Sequence, residues 1–357
     1  MELKELLKQV SRSFYLTMVV LPRSVRGQIS IAYLLARATD TIADTELINV
    51  DSRIQTLFKL RNIILEEKSP EFSFPEEIDW KSLLSCQKNS SEKILLENIS
   101  LIIAECRKFS LEDQKDIYNV LNIIISGQLL DLEYFLLQKG KEEVRSFQKE
   151  EQLDDYTYKV AGCVGEFWTR ICRRYLYKKT TFPENIFLEK AIHFGKGLQL
   201  VNILRDLPAD LSNGRCYLPE EELKKLGLKP QDLMDPKSYP KLKHFYYLHL
   251  KLALNYLKDG IDYLFMTPGG WRTWMMRLGL TWPILIGIET LYLLSQTNPL
   301  DPKQRVKVAR KDLKKILLLT FFTSFIPGGW KRLFNRSLKK TLVAVSKTGE
   351  ECSLNLV

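Results

Sequence analysis

The segment VNILRDLPADLSNGRCYLP, residues 201–219, places acidic side chains inside an apolar stretch of the chain. Asn202, Asp206 and Asp210 follow one another at intervals of four residues. On a helix, each is therefore turned only about 40° from the one before it. Carboxylates held on one helix face repel each other and destabilise the fold unless a cation lies between them. The spacing therefore predicts a helix face that holds a cation.

A second acidic pair, Asp40 and Asp44, has the same spacing, and Arg37 and Arg205 accompany the two sets. Such a pair alone usually marks a solvated helix face, but these surroundings are too apolar for a surface helix. We expect the two pairs to face one another across a cavity. Mg²⁺ fits best there, because it binds through one or two carboxylates, water and substrate phosphates. The predicted chemistry is the binding and ionisation of a diphosphate.

Four ordered motifs resemble the squalene/phytoene synthase family over roughly residues 5 to 300. They are SRSF at Ser11–Phe14, the DTIAD box, YTYKVAGCVGE at Tyr156–Glu166, and NILRDLPAD followed by GRCYLP. The resemblance implies one all-α domain of the isoprenoid-synthase type, built around a deep apolar cavity. We place that domain at residues 1–300 and a basic extension at residues 301–357.

The resemblance also implies roles for individual residues. It assigns substrate binding to Ser11, Arg12, Ser13, Arg37, Gln199, Asn202, Arg205 and Arg215. It assigns metal binding to Asp40, Asp44, Asn202, Asp206 and Asp210, of which the four aspartates also count as catalytic. Tyr156 corresponds to the catalytic tyrosine proposed for the family, and its phenol can stabilise a carbocation or guide a departing proton. Without the motif, a core tyrosine whose hydroxyl is satisfied would be the preferred interpretation of Tyr156.

The implied reaction joins two prenyl diphosphates head to head, with Mg²⁺ bound by the aspartates. We favour two farnesyl diphosphates as substrates and squalene as product, with NADPH as reductant by resemblance alone. The motifs GRCYLP and QLVNILRD are more similar to those of family members that make phytoene or dehydrosqualene without reduction. A catalytically silent assembly factor of the same fold is a third reading. The presence of all four aspartates argues against it.

The basic charge is concentrated near the C-terminus. Of the net charge of +10, residues 303–347 carry thirteen Lys or Arg and one acid. The apolar run inside Ile316–Trp330 is about 11 residues, too short to span a bilayer. An interfacial helix is one reading, with its cations near anionic headgroups: Lys331, Arg332, Arg336, Lys339 and Lys340. A final core helix with a solvated basic end is the other. We expect a monomer that binds no nucleic acid, cytoplasmic because no secretory signal is seen, with a possible peripheral membrane contact.

Three further expectations concern local structure. Pro208 should kink the helix or end its regular bonding. The small residues of VAGCVG, with Gly195 and Gly197, predict a close approach of two helices or of a helix and a ligand. The six cysteines show no CxxC spacing and, with only three histidines, give no zinc site. Cys163 and Cys172 are expected to be buried free thiols.

Overall fold

A computed structural model describes residues 3–10, 14–65, 78–137, 144–177 and 182–353. The all-α prediction is confirmed, because the strands found in these ranges are only two residues long. In chain order the α-helices are α1 (Leu3–Val10), α2 (Phe14–Val20), α3 (Arg23–Ala43), α4 (Val50–Leu65), α5 (Trp80–Ser85), α6 (Ser90–Glu97), α7 (Ile99–Cys106), α8 (Leu111–Asp131), α9 (Glu150–Thr157), α10 (Cys163–Tyr175), α11 (Glu184–Ser212), α12 (Glu220–Lys225), α13 (Tyr239–Met266), α14 (Trp271–Leu294), α15 (Arg310–Thr323) and α16 (Gly329–Ser353).

Shorter elements connect these helices. Two π-helical segments cover Leu132–Leu137 and Tyr158–Gly162, and 3₁₀ turns cover Pro230–Met234 and Pro236–Ser238. Strands β1 (Arg145–Ser146) and β2 (Arg215–Cys216) form a short parallel bridge.

The chain groups into two compact units, which are described separately. Unit 1 comprises Met1–Gln138 and Glu166–Lys179, and unit 2 comprises Lys139–Gly165 and Thr180–Val357. The division predicted at residue 300 stays a prediction, and α15 and α16 are described with unit 2.

Helix α3 lies at the centre of unit 1, where it packs against α4, α7 and α8. Pro22 stands immediately before it with φ −54°. Proline has no amide hydrogen to donate, and its fixed φ suits the start of a helix. The helical chain therefore breaks at Pro22, between α2 and α3. The buried face of α3 includes Leu34, Leu35 and Ile42, each fully excluded from solvent.

A buried carboxylate links three helices of unit 1, namely α3, α8 and α10. The Asp113 side chain on α8 is 1% exposed and accepts hydrogen bonds from Arg174 at 2.5 Å, Tyr175 at 2.5 Å and Gln28 at 3.1 Å. Burial raises the pKa of Asp113, but these three donors outweigh it and hold the pKa below its ordinary value. The carboxylate therefore remains charged and fixes α10 to α8.

Helix α11 is the central element of unit 2 and packs along α13. It runs without interruption through Pro208. A proline at position 208 removes the amide that would bond to the carbonyl of Leu204, four residues earlier. That carbonyl instead accepts a hydrogen bond of 3.0 Å from the buried hydroxyl of Tyr246 on α13. The helix is therefore not ended at Pro208, because a neighbouring helix supplies the missing donor.

The predicted close approach at the small residues is confirmed and joins two helical segments. A Cβ added to Gly165, at the start of α10, would overlap the backbone carbonyl of Ala191 on α11. A Cβ added to Gly195 on α11 would overlap the carbonyl of Ala161, which lies in the π-helical segment. The two segments therefore touch backbone to backbone. Cys163 and Cys172 are buried free thiols, as predicted.

The C-terminal helices pack against the rest of unit 2. Helix α16 contacts α13 and α14 and buries Phe334 and Val345. Within the described ranges, one helical stretch, Thr273–Leu294, has the length and apolar composition of a membrane span. In this stretch 61% of the apolar window is buried, so most of it packs inside the protein.

Candidate active site

Asp40 and Asp44 lie at the C-terminal end of α3 in unit 1. Asp40 is in the last turn, and Asp44 caps the helix, its amide donating to the Asp40 carbonyl at 2.9 Å. The C-terminal end of a helix carries partial negative charge from its unbonded carbonyls. The two carboxylates add to the negative electrostatic potential at this end of the helix. A cation bound there would therefore stabilise the helix end.

Arg37 connects the first acidic pair to a further carboxylate. Its guanidinium pairs with Asp40 and, at 2.6 Å, with Glu92 on α6. Burial raises the pKa of Asp40, Arg37 opposes this, and the negative charges of Glu92 and Asp131 add to the rise. The Asp40 side chain is still 45% exposed, so a ligand can reach it. Asp40 therefore lies within a group of acids that one arginine does not neutralise.

The second acidic set lies along one face of α11 in unit 2. Asn202 is exposed, whereas Gln199, Asp206 and Asp210 are half-buried. The opposite side of the helix is buried in the unit, through Leu204, Leu207 and Leu211 among others. Because the helix continues through Pro208, the spacing of Asn202, Asp206 and Asp210 is preserved. The predicted common face is thus present.

Arg205 neutralises part of this face. Its guanidinium binds both carboxylate oxygens of Asp206, at 2.9 Å and 2.5 Å. These hydrogen bonds raise the pKa of Arg205, so the guanidinium is fully charged. A bidentate pair of this kind fixes the planar carboxylate in one orientation.

A tight turn follows the acidic face and leads into β2. Gly214 adopts φ +78°, a left-handed conformation that favours glycine and suits the turn at Asn213–Gly214. Arg215 in β2 is paired in register with Arg145 in β1. Like charges at paired positions of two strands repel each other. The bridge therefore places two arginines at paired positions, five residues after Asp210.

Tyr156 lies in a buried aromatic cluster. Its ring stacks on Tyr217 with centroids 4.9 Å apart and an interplanar angle of 15°, and the two hydroxyls are 3.4 Å apart. Phe147 contacts both rings at 5.6 and 5.8 Å. Tyr217 follows Arg215 by two residues. The cluster therefore brings Tyr156 next to the segment that leaves the acidic face of α11.

Lys196 fixes the helix that carries Tyr156. Its side chain is 8% exposed and pairs with Asp154, two residues before Tyr156. Its stem also lies against Gly162, where an added Cβ would meet Lys196 Cγ at 3.0 Å. This ion pair and the glycine contacts together hold α9 and the π-helical segment on α11.

The structure thus groups most predicted site residues within one unit or the other. Unit 1 contains Arg37, Asp40 and Asp44, and unit 2 contains Tyr156, Gln199, Asn202, Arg205, Asp206, Asp210 and Arg215. Ser11, Arg12 and Ser13 lie outside the described residues. The expectation that the two acidic pairs face one another stays a prediction.

Four residues of these clusters were not predicted from the sequence. Glu92 and Asp131 act on Asp40, Arg145 pairs with Arg215, and Tyr217 stacks on Tyr156. Tyr217 lies within the GRCYLP motif and Asp131 within GQLLDLEYF, so both had a sequence signal. Glu92 and Arg145 had none.

The donor sets fit Mg²⁺. In the described ranges, no group of three His, Cys, Asp or Glu side chains is arranged to hold a metal. A cation bound to one of these pairs would therefore need water and substrate oxygens to complete its coordination shell, which is how Mg²⁺ is usually bound. One turn before Asp131, the buried Oε1 of Gln128 has no hydrogen-bond partner in this part of the protein. Water carried by a cation near Asp40 would supply such a donor. The sequence contains no GxGxxG dinucleotide fingerprint, and NADPH stays an expectation from the family resemblance.

Comparison with known proteins identifies the family and the fold. A sequence model described as squalene/phytoene synthase matches residues 7–312. The chain belongs to the squalene/phytoene synthase family. The fold agrees as well: a ligand complex of TcSQS superposes with a TM-score of 0.70 at 19% identity, covering 97% of this chain and 98% of that one. A dehydrosqualene synthase complex gives 0.61 at 20% identity, covering 90% and 96%.

Individual family members with different names are similar to this chain. Squalene synthase of Yarrowia lipolytica is 28% identical over 263 residues, 73% of this chain and 54% of that protein. Presqualene diphosphate synthase of Zymomonas mobilis is 30% identical over 232 residues, 65% and 64%. The bifunctional lycopene cyclase/phytoene synthase of Blakeslea trispora is 31% identical over 222 residues, 62% and 33%. The chain spans about half the length of the squalene synthases it matches.

Proposed function

We propose that this chain is a prenyltransferase that condenses two farnesyl diphosphates head to head to presqualene diphosphate, which is then reduced to squalene with NADPH as the hydride donor. The observation that supports this most is the polar face of α11. Gln199, Asn202, Asp206 and Asp210 line that face, and Arg205 is bound to one of its carboxylates. Such a face provides oxygen ligands for a divalent cation beside a fixed positive charge, a combination suited to a diphosphate.

In this proposal the charged residues bind and activate the diphosphates. Asp40 and Asp44 in unit 1, and Asn202, Asp206 and Asp210 in unit 2, hold Mg²⁺. When bound, Mg²⁺ supplies Lewis-acid stabilisation of the leaving diphosphate. Arg37, Arg205, Arg215 and the paired Arg145 donate hydrogen bonds to the phosphate oxygens, as do Ser11, Arg12 and Ser13. These donors stabilise the charge that develops as the carbon–oxygen bond breaks.

Tyr156 and Tyr217 act at the hydrocarbon end. The leaving diphosphate takes the bonding electron pair, and an allylic cation remains. The double bond of the second farnesyl diphosphate attacks this cation, and a proton is lost as the cyclopropane ring closes. Stacked phenol rings present π-faces to a cation. Their hydroxyls, 3.4 Å apart, form a short route along which the proton can leave.

A second candidate is a synthase that stops without reduction, giving phytoene or dehydrosqualene. It is favoured by the GRCYLP motif, in which Tyr217 occupies the aromatic cluster, and by the similarity to a phytoene synthase. A catalytically silent assembly factor is the third reading, against which the retained aspartates argue. A monomeric state, the absence of a nucleic-acid partner and a cytoplasmic location are part of the same proposal.

The test is a product assay with the purified chain, Mg²⁺ and farnesyl diphosphate, with and without NADPH. Squalene formed only with NADPH supports the proposal. Dehydrosqualene formed irrespective of NADPH moves the assignment to the second candidate. Product from geranylgeranyl diphosphate alone does the same for a phytoene synthase.

The matched variants are Asp206→Asn and Glu189→Gln, both on α11. Glu189 is exposed and lies away from the polar face, so its substitution should leave turnover unchanged. Asp206→Asn should abolish turnover while the helical circular dichroism spectrum is preserved. Full turnover in Asp206→Asn would contradict the metal-site assignment, and no turnover in any variant or in the parent would favour the silent fold.

A further inference from the structure

Five aromatic side chains form a continuous exposed cluster in unit 2, which we name the aromatic patch: Trp271, Trp274, Phe321, Phe322 and Phe325. Trp271 stacks on Trp274 at 5.8 Å, and Trp274 contacts Phe321 and Phe325 at 5.9 and 5.6 Å. Trp271 is 83% exposed, and Phe322 and Phe325 are 61% and 62% exposed. Single exposed apolar residues are ordinary, but a contiguous exposed cluster marks a contact surface.

The patch is held by a rigid base. Thr320 on α15 is fully buried. Its hydroxyl accepts a hydrogen bond of 3.0 Å from the indole of Trp282, and its backbone carbonyl accepts one of 2.8 Å from the indole of Trp330. These contacts fix one side of α15 to α14 and α16. The opposite side, with Leu318 and the phenylalanines of the patch, is left in solvent. Helix α16 is therefore a core helix, whereas the end of α15 is an exposed apolar surface. The predicted contact of this region with a membrane interface stays a prediction.

Positive charge without ion pairs lies along the helix that leads into the patch. The first turns of α15 carry the exposed side chains of Arg310, Lys311, Lys314 and Lys315, and none of them forms an ion pair with a described residue. Lys331 is likewise exposed and, with Phe325, lines a pocket of about 360 Å³. Lys340, by contrast, pairs with Glu289 at 3.0 Å and lies over the Tyr292 ring. It therefore does not contribute to the free positive charge.

Arg277 provides a second and independent sign of an anionic partner. Its guanidinium is half-buried and lies 5.6 Å from the Trp330 ring and 6.0 Å from the Phe265 ring, both of which line the same pocket. Its Nε is buried without a hydrogen-bond partner, and the described residues provide no carboxylate for it. Burial removes water from this guanidinium, and this desolvation lowers the pKa of Arg277. A desolvated cation at the edge of an aromatic surface is complementary to a phosphate.

We propose that the aromatic patch, with Arg277, Lys331 and the basic start of α15, is a surface that docks on an anionic lipid bilayer. The aromatic rings enter the headgroup region, where tryptophan and phenylalanine are favoured, and the cations bind lipid phosphates. Docking of this kind is peripheral. It does not require the apolar stretch Thr273–Leu294 to leave the protein, in which most of that stretch is buried.

The test uses the full chain and flotation with vesicles of phosphatidylcholine, alone or mixed with phosphatidylglycerol. Binding to the anionic vesicles that weakens with added salt is expected. The double substitution Phe322→Ser and Phe325→Ser should lower the partition coefficient about tenfold or more. Deleting the C-terminal helices is unsuitable, because α16 supplies buried core residues. Leu111→Ser with Met234→Ser is the matched control, because both are exposed apolar residues outside the patch, 83% and 56% exposed.

Unchanged melting temperatures in both double variants show that folding is preserved. The proposal is overturned if the parent does not float with anionic vesicles, or if the patch variant binds as well as the control. It is also overturned if light scattering shows a dimer that the patch substitutions dissociate without vesicle binding, since a second copy would then cover the surface. Retention of free phosphate without vesicle binding would overturn the lipid assignment.

Discussion

Removal of the Tyr246 hydroxyl should reveal how α11 tolerates a proline in its interior. Tyr246→Phe leaves the carbonyl of Leu204 buried and without a donor, because the residue four positions later is Pro208. Burial raises the pKa of Tyr246 well above its ordinary value, so the phenol remains a donor at any neutral pH. The substitution keeps the ring, and its effect is that of one hydrogen bond.

The magnitude follows from the loss of a partner by a buried acceptor, which costs about 1–3 kcal/mol. In a Pro208→Ala background, the amide of residue 208 can bond to Leu204 and complete the helix. Tyr246→Phe should therefore cost less than about 1 kcal/mol in that background. The coupling free energy between the two positions should be about 1–2 kcal/mol.

Urea unfolding followed by far-ultraviolet circular dichroism measures the four corners of this cycle. Tyr247→Phe is the matched control, because its buried hydroxyl also donates to a backbone carbonyl, that of Ser295, at 2.5 Å. Its cost should be the same with and without Pro208. An equal cost of Tyr246→Phe in both backgrounds would show that Tyr246 does not compensate for the proline.

Two further predictions concern Asp113 and Tyr217. Because donors lower the pKa of Asp113, its charged form stabilises the fold above the ordinary pKa of 3.8, and this contribution is lost as pH falls toward the lowered value. Asp113→Asn should lower the free energy of unfolding by about 3–5 kcal/mol at neutral pH. The urea midpoint of the variant should fall less on acidification than that of the parent. An equal fall in both proteins would contradict the assignment. Tyr217→Phe keeps the stacking on Tyr156 but removes the hydroxyl 3.4 Å away, so kcat should fall about tenfold with the melting temperature nearly unchanged, whereas parent-like kcat would exclude a proton route through Tyr217.

The local features of the fold could be predicted because they depend on neighbouring residues. Pro22 restricts the backbone at its own position, and the Asn213–Gly214 turn requires the positive φ that glycine provides. The common face of Asn202, Asp206 and Asp210 follows from helical periodicity alone. The small residues of VAGCVG correctly predicted a close approach of two helical segments, because two backbones can touch only where the side chains of both segments are small.

The remaining features depend on contacts between distant parts of the chain. Tyr156 and Tyr217 are 61 residues apart, and Arg145 meets Arg215 only through a two-residue bridge. Pro208 led to the prediction of a disturbed helix, which was only partly right. Nothing near Pro208 in the sequence indicates that a tyrosine 38 positions later replaces the amide donor that proline lacks. The apolar run Ile316–Trp330 allowed two readings, since only tertiary packing decides which of its residues face α14 and α16.

The direct backbone contact at Gly165 and Gly195 has a consequence for motion. Where side chains separate two helices, a change of rotamer lets one helix slide or tilt against the other. Between α11 and the segment after Tyr156, carbonyl oxygens occupy that space, and no rotamer is available to change. Tyr156 and the acidic face of α11 must therefore move as a single block. If the proposed function holds, any adjustment of unit 2 to a longer or shorter prenyl chain has to come from side chains that point away from this contact.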